Sequence, residues 1–222
     1  MPTVMTHQEA TKLISYLEGT HRLIAKLLYG SGLRAREALS LRIKDLDFES
    51  QQIGVRNGKG NSDRFTLLPA SVADELKQQI ERVRRLHAYD LSCGRGEVAL
   101  PDALVVKYPK AATQFKWQFL FPASRPGVDP RTGEVRRHHR HYSSMQRAVK
   151  QAVRRAKLNR HVTSHTFRHS FATRLIETGY DIKLVQSLLG HRDISTTEIY
   201  LHVVRNRAGA IVSPVDQILN DV

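Results

Sequence analysis

The sequence predicts a mostly helical protein with a small antiparallel β hairpin near its N-terminal end, which is an α+β fold class. Apolar residues recur at helical spacing in most of the chain, and without interruption from residue 143 onward. Two β-like runs, QQIGVR and RFTLLP, flank the glycine- and asparagine-rich stretch NGKGNSD. With 222 residues, 41% of them hydrophobic, the chain is long enough to bury a core around these elements.

Helix-capping residues and helix-breaking glycines indicate where the elements in the first half of the chain begin and end. Thr6 and Glu9 have the spacing of a capping box and open the first helix. A second helix, HRLIAKLLY, ends at the GSG of residues 30–32, and a short helix begins just after Arg34. The hairpin follows with Lys59 at its tip. A longer helix over SVADELKQQIERVRRLHAY precedes a mixed segment with a short helix near PDALVVK.

A basic helix is predicted after a loop rich in proline, arginine and histidine. Ser143 is placed to cap SMQRAVKQAVRRAKL, whose Met, Ala and Val positions form one apolar face. The opposite face carries Arg147, Lys150, Arg154 and Lys157. A solvated face is the simpler explanation for such a stripe, but its single sign favours a track along phosphates.

Three further helices are predicted in SHTFRHSFATRLIETG, DIKLVQSLLG and STTEIYLHVV. Gly179 and Gly190 are typical of residues that follow a helix C-terminus. Ser195 and Glu198 have capping-box spacing, so Tyr200 should lie in the second turn of the last helix.

The charge balance predicts a polyanionic partner. Lys and Arg number 35 against 21 Asp and Glu, which leaves a formal charge of +14. Such an excess favours nucleic acid, because neutralising phosphates releases condensed counterions. A single cysteine, Cys93, excludes an internal disulfide and a multi-cysteine zinc site. The sequence has no apolar run of membrane-spanning length and its start lacks the layout of a signal peptide, so we expect a cytoplasmic protein without a membrane partner.

Two motifs partly match other kinds of site, a nucleotide-binding loop and a metal site, but their residues argue against both. The GKG of residues 58–60 is not a nucleotide loop, because Ile53 stands where glycine is needed and Gly60 where Ser or Thr is needed. His161, His165 and His169 are spaced four apart, as metal ligands on a helix would be. Their neighbour Arg168 puts a fixed positive charge beside any cation, so we expect an anion site, no metal, and His169 in the core.

Taken together, the motifs resemble the tyrosine recombinases, also called phage-type integrases. The resemblance covers nearly the whole chain and is closest to the catalytic domain of integron integrases, to which YGSGLR, GKGNSDRFTLLP, ALPDALVVKYP and FPASRPGVDPRTGEVRRHH are similar. It implies a tyrosine recombinase catalytic domain over residues 1–222, with an additional integron-type segment at about 92–141. Members of that family carry a helical core-binding domain ahead of the catalytic domain, and we expect it to be absent here because MTHQEATKLI already resembles the start of the catalytic domain. The expected catalytic residues are Arg34, Lys59, His165, Arg168, His191 and Tyr200.

The resemblance also implies a mechanism that needs no cofactor. Tyr200 would attack a DNA phosphate to form a 3′-phosphotyrosine, and Arg34 with Arg168 would clamp the non-bridging oxygens. His191 would donate a further hydrogen bond to the phosphate and Lys59 would protonate the leaving 5′-oxygen. His165 is the expected acceptor of the tyrosine proton, unless it only binds the phosphate. Glu37 would orient Arg34 or the neighbouring backbone.

The expected substrates are a double-stranded attachment site and folded single-stranded hairpins with extrahelical bases. Trp117, His138 and His139 would supply stacking surfaces for such bases, although core packing is as good an explanation for Trp117. Arg136, Arg137 and Arg140 would contact the DNA backbone. The resemblance implies a monomer in isolation and a homotetramer on DNA, assembled through the tail SPVDQILN, in a bacterial cytoplasm and bound to the nucleoid. A type IB topoisomerase and a non-catalytic DNA-binding protein are the alternatives.

Overall fold

The computed structural model describes residues 3–56, 63–100, 107–130 and 132–205. Lys59, most of PDALVVK and the tail SPVDQILN lie outside these ranges. The helices are α1 (His7–Ser15), α2 (Gly19–Ser31), α3 (Ala35–Ser40), α4 (Ala73–Ser92), α5 (Tyr142–Arg155), α6 (Ser164–Glu177), α7 (Ile182–Leu189) and α8 (Ser195–Arg205). Short 3₁₀ helices span Ile43–Asp45, Ala70–Val72, Pro109–Thr113 and Phe115–Trp117. The predicted α+β class is confirmed.

The predicted hairpin forms the larger of two small sheets. Strands β2 (Gln52–Val55) and β3 (Arg64–Leu67) pair antiparallel, with Val55 opposite Arg64. Strand β1 (Leu46–Asp47) adds to the other side of β2 and was not predicted, because two residues are too short to show a period. Strands β4 (Gly127–Val128) and β5 (Val135–Arg136) form a separate antiparallel pair.

Strand β3 turns its polar side chains toward the helices. Thr66 is buried and its hydroxyl donates to the carbonyl of Ser31, which ends α2, at 2.7 Å. Phe65 and Leu67, which alternate with it, are 57% and 43% exposed. Because side chains alternate between the faces of a strand, Arg64 lies on the same inner face as Thr66.

Several helix ends match the sequence and one does not. Thr6 and Glu9 form the predicted capping box, and Gly179 and Gly190 have left-handed backbone after α6 and at the end of α7. The prediction that Ser143 caps α5 is wrong. His141 is the cap, because its ring accepts from the amide of Ser143 and the helix begins at Tyr142.

The last helix begins slightly earlier than predicted. The carboxylate of Asp193 accepts from the Ser195 amide at 2.9 Å, and Ser195 is already the first helical residue. Tyr200 therefore lies in the second turn of α8, as predicted.

Three apolar clusters make up the described core. The largest packs α1, α2, α3 and the larger sheet against α5 and the start of α6, and it includes the predicted inner residues Met145, Val149 and Ala152. A second cluster joins α6, α7 and α8 and contains Tyr200. A third forms within the segment of about 92–141 around Phe119. In the part of the chain described, no helix has the length and apolar content needed to cross a membrane.

Candidate active site

Two glycine-ended helices hold the guanidinium of Arg168. Its Nη1 donates to the carbonyl of Gly32 and its Nη2 to that of Leu189, each at 2.6 Å. These carbonyls lie at the C-termini of α2 and α7, where the helix dipole favours a cation. Gly32 needs its left-handed backbone, and a Cβ there would come within 2.4 Å of Phe171. Although burial and Arg34 lower the pKa of Arg168 to about 10, the group stays charged at neutral pH.

The carboxylate of Glu37 binds two arginines and lies near a third. It accepts from Arg34 Nη1 at 2.8 Å, from the Arg34 amide at 2.8 Å, and from both Nη atoms of Arg64 at 3.0 and 2.8 Å. Arg168 Nη1 lies 3.9 Å away. Burial raises the pKa of Glu37, but the hydrogen bonds and charges of Arg64 and Arg34 outweigh it and lower the pKa to about 2.

Arg64 also joins the sheet to the loop that carries His191. Its Nε donates to the carbonyl of Leu188 at 3.0 Å, and its side chain is 9% exposed. A Cβ on Gly190 would come within 2.5 Å of Arg64 Cδ, so this glycine permits the close approach. Arg64 therefore fixes the end of α7 relative to Glu37.

His191 lies between Arg168 and the last helix. Its Nε2 is 3.1 Å from Arg168 Nη2, which can only donate, so Nε2 accepts and Nδ1 carries the proton toward Thr197 Oγ1 at 2.9 Å. Burial, and after it Arg168 and Arg34, lower the pKa of His191 to about 4. The imidazole is therefore neutral at pH 7, and an anion placed beside it would raise its pKa.

Tyr200 is buried beside two histidines. Its ring stacks on that of His191 with centroids 6.4 Å apart, and its hydroxyl lies 2.9 Å from Nδ1 of His169. The residue is 1% exposed. Burial raises the pKa of the Tyr200 phenol above its usual value, while the charges of Arg168 and Arg34 act against that rise.

His165 lies at the solvent side of the same helix. It is exposed and, with Arg34, Arg36 and Tyr142, lines a cavity of about 270 Å³. Burial of part of the ring, and the charges of Arg168 and Arg34, lower its pKa. The structure thus brings five of the six predicted catalytic residues together, and the sixth, Lys59, lies outside the described residues.

An open groove of about 950 Å³ passes beside Glu37 and reaches the residues predicted to stack bases. Trp117, His138 and His139 line it together with Phe119, whose ring lies 5.2 Å from that of His139. Lys44 Nζ is 4.2 Å from the centre of the Trp117 ring. Trp117 is half-buried rather than enclosed, so one part of its indole borders the groove.

The structure contradicts the expectation that Arg137 contacts DNA. Arg137 is buried, its Nε and Nη2 donate to Asp90 at 2.6 and 2.7 Å, and its Nη1 donates to the carbonyls of Ala123 and Ser124. All its donating nitrogens are therefore satisfied inside the protein.

Arg136 is also poorly placed to contact DNA, because carboxylates surround its side chain. It forms ion pairs with Glu97, Asp129 and Glu134, and it is 17% exposed. Arg140 is half-buried near Arg82, and both burial and that charge lower its pKa.

The basic stripe of α5 does face outward. Arg147, Lys150 and Arg154 are exposed, and Lys157, which lies beyond the end of the helix, is exposed as well. None of these side chains forms an ion pair with another described residue, so they can reach a partner without displacing one.

Sequence reasoning missed Arg64 and underestimated His169. Arg64 stands at a strand end and shows no motif of its own, and the alternation with exposed Phe65 was the available signal. His169 was expected in the core, but it is half-buried and bonded to the Tyr200 hydroxyl. Its position four residues after His165 and one after Arg168 places all three on adjoining parts of α6.

Known proteins resemble this chain in sequence. The phage integrase family matches residues 3–207. Proteins called integrase/recombinase from Escherichia coli and Pseudomonas aeruginosa are each 49% identical over 216 residues, which are 97% of this chain and 64% of theirs. Tyrosine recombinase XerA of Thermococcus kodakarensis is 32% identical over 207 residues, 91% of this chain and 59% of that protein. The chain therefore spans about two thirds or less of these relatives' length.

Solved structures resemble this chain in fold. The XerH site-specific recombinase bound to its palindromic difH substrate, in a post-cleavage complex, superposes with a TM-score of 0.63 and 26% identity over 93% of this chain and 51% of that one. The XerA recombinase gives a TM-score of 0.63 at 24% identity, over 95% of this chain and 67% of that one, which supports the fold alone. With the family match extending over residues 3–207, the chain belongs to the phage integrase family, the tyrosine recombinases.

Proposed function

We propose that the chain is the catalytic domain of a site-specific DNA recombinase that cleaves and rejoins strands through a 3′-phosphotyrosine at Tyr200. The observation that carries this proposal is the convergence of a tyrosine hydroxyl, His191 and the guanidinium groups of Arg34 and Arg168. A phosphodiester bound there would meet two fixed cations on its non-bridging oxygens, where charge grows as phosphorus becomes five-coordinate.

The chemistry exchanges one phosphate ester for another. Tyr200 Oη forms a bond to phosphorus as the bond to the 5′-oxygen breaks, so the ester energy is kept and neither a nucleotide nor a metal is required. Lys59 is the proposed donor of the proton to the 5′-oxygen. His191 would take up a proton when the phosphate arrives and then donate to it from Nε2, because in the free protein Nε2 accepts from Arg168.

The exposed stripe of α5 and the groove beside Trp117 support the DNA contacts we propose. Arg147, Lys150 and Arg154 would bind backbone phosphates, with Arg140 as a further contact. An unpaired base could enter the groove and stack on Trp117, where Lys44 already lies over the ring.

We extend the proposal to the substrates and assembly that the integron-type segment of about 92–141 suggests. The substrates would be a double-stranded attachment site and folded hairpins with extrahelical bases, and gene-cassette recombination would be the outcome. Four copies would assemble on DNA from free monomers, in a bacterial cytoplasm at the nucleoid. The curated relatives are longer, so these proposals concern the whole recombinase to which such a domain belongs.

Adduct trapping tests the nucleophile. Nicked duplexes with a randomised sequence around the nick are incubated with the protein, and covalent adducts are recovered under denaturing conditions. We expect adducts for the wild type and for Tyr29→Phe, whose hydroxyl contacts His7 instead, and none for Tyr200→Phe. An adduct that survives Tyr200→Phe contradicts the assignment. Site-independent relaxation of a supercoiled plasmid would indicate a type IB topoisomerase.

A further inference from the structure

The chain contains two histidine–tyrosine hydrogen bonds in different surroundings. His169 Nδ1 lies 2.9 Å from the hydroxyl of Tyr200, and His7 Nδ1 lies 3.2 Å from that of Tyr29. The ring centroids are 5.8 and 6.2 Å apart, so the two pairs are alike in geometry. The first is buried against the arginine cluster, whereas the second lies at the surface.

A buried phenol needs a proton acceptor inside the protein. Tyr200 is 1% exposed, so bulk water has little access to its hydroxyl. A phenol is a weak nucleophile while it keeps its proton, and burial raises the pKa of Tyr200 further. An acceptor within hydrogen-bond reach is the geometric requirement for general base catalysis, and His169 meets it.

We propose that His169 is the general base of strand cleavage, accepting the Tyr200 proton at Nδ1 as Oη attacks phosphorus. The inference rests on the proposed function and replaces the base role expected of His165. The electron pair of the O–H bond forms the new O–P bond, the P–O5′ bond breaks, and the 5′-oxygen takes its proton from a separate donor. In rejoining, the 5′-hydroxyl gives its proton back to that donor and its oxygen attacks phosphorus, the P–Oη bond to Tyr200 breaks, and His169 returns its proton to the departing tyrosine.

The groups that face His169 keep it neutral and ready to accept. His165 and Arg168 lie on its own helix, and Tyr200 and His191 face it from α8 and the preceding loop. Burial, followed by the charges of His165 and Arg168, lowers the pKa of His169. Since Tyr200 must donate in this pair, the imidazole proton resides on Nε2.

His169→Asn separates a base from a mere hydrogen-bond partner. The asparagine amide can place an oxygen near the position of Nδ1, so it keeps an acceptor but has no useful basicity. On a duplex recovered in the trapping experiment, we expect adduct formation at pH 7 to slow by about 100-fold, within the range of general base catalysis. The deficit should shrink as the pH rises above 7, because a growing fraction of the phenol then ionises without a base.

His7→Asn is the matched control, because it removes the second histidine–tyrosine bond and should leave the rate unchanged. A His169→Asn variant that cleaves as fast as the wild type, or faster, overturns the proposal. His169 would then only position the Tyr200 hydroxyl in the free protein. A rate deficit that is independent of pH also overturns it.

A measurement without DNA tests the proposal separately from the proposed function. Nitrogen NMR of histidine-labelled free protein should show His169 protonated on Nε2 at pH 7, with His169→Asn identifying its signal. A proton on Nδ1 would contradict the proposal whatever happens on DNA. If the tautomer is as expected but the wild type forms no adduct, the failure lies in the nucleophile assignment, and with it the base role falls.

Discussion

Two arginine-rich regions of this protein differ in how their charge is balanced. Around Glu37, three guanidinium groups share the one carboxylate found among the described side chains of that cluster: Arg34, Arg64 and Arg168. Two arginines of the segment of about 92–141, Arg136 and Arg137, meet four carboxylates: Asp129, Glu97 and Glu134 within the segment and Asp90 on α4. The first region has an excess of positive charge, whereas the arginines of the second are neutralised by the carboxylates that hold the segment in place.

The difference shows that the number of arginines in a stretch does not locate a DNA contact. The RRHHRH run has the higher local density of positive charge, yet Arg137 donates only inward. Arg34 and Arg168 are isolated in the sequence, and folding brings them together from α3 and α6. Their effect on anions depends on that proximity, because charges that share a partly buried site are screened less than charges in water.

The largest effect is expected from removing one carboxylate of the second region, where carboxylates neutralise Arg136 and Arg137. Asp90→Asn keeps the shape of the side chain and leaves Arg137 buried without its counter-charge, so we expect a loss of about 3–5 kcal/mol in the free energy of unfolding. Urea denaturation measures this loss. Glu97→Gln is the control, because its pair with Arg136 is 52% exposed on the Glu97 side and should contribute less than about 1 kcal/mol. Equal losses of unfolding free energy in the two variants would show that the buried Arg137–Asp90 pair contributes no more than the exposed Arg136–Glu97 pair.

These two regions also show what sequence could and could not predict. The helices, the hairpin and the Thr6 cap follow from local patterns, and the order of motifs predicted five residues that the structure brings together around Arg168. The partner of Arg137 lies 47 residues away, so nothing beside Arg137 in the sequence reveals its ion pair. Arg64 faces inward because Glu37 and the Leu188 carbonyl accept from it, and those acceptors come from other elements. The missed features are thus tertiary contacts of polar groups.

A smaller loss, in the rate of adduct formation rather than in stability, is expected from changing Arg168 in the cluster around Glu37. Arg168→Lys keeps the charge but cannot donate to Gly32 and Leu189 with the same planar fork, so the cation no longer has a fixed position. We expect the rate of adduct formation to fall by about 10²–10³-fold, or about 2.7–4 kcal/mol. Arg137→Lys is the matched variant, and it should lower stability while adduct formation by the folded protein persists. A rate loss of similar size in both variants would show that Arg168 acts only through folding.

The smallest effect concerns the proton on Glu37, and it tests whether three cations depend on this carboxylate. The pKa of Glu37 is about 2 in the folded protein against an ordinary value of 4.5, so the unfolded chain binds the proton first as the pH falls. The stabilisation is therefore complete above pH 4.5 and is lost as the pH approaches 2. At about 1.36 kcal/mol per pKa unit, it amounts to at most about 3 kcal/mol. Urea denaturation of the wild type and of Glu37→Gln between pH 2 and pH 7 should give unfolding free energies that differ at neutral pH and converge in acid. Curves that stay parallel throughout would mean that the arginines do not lower the pKa of Glu37, and that the positive potential at this carboxylate is smaller than the structure indicates.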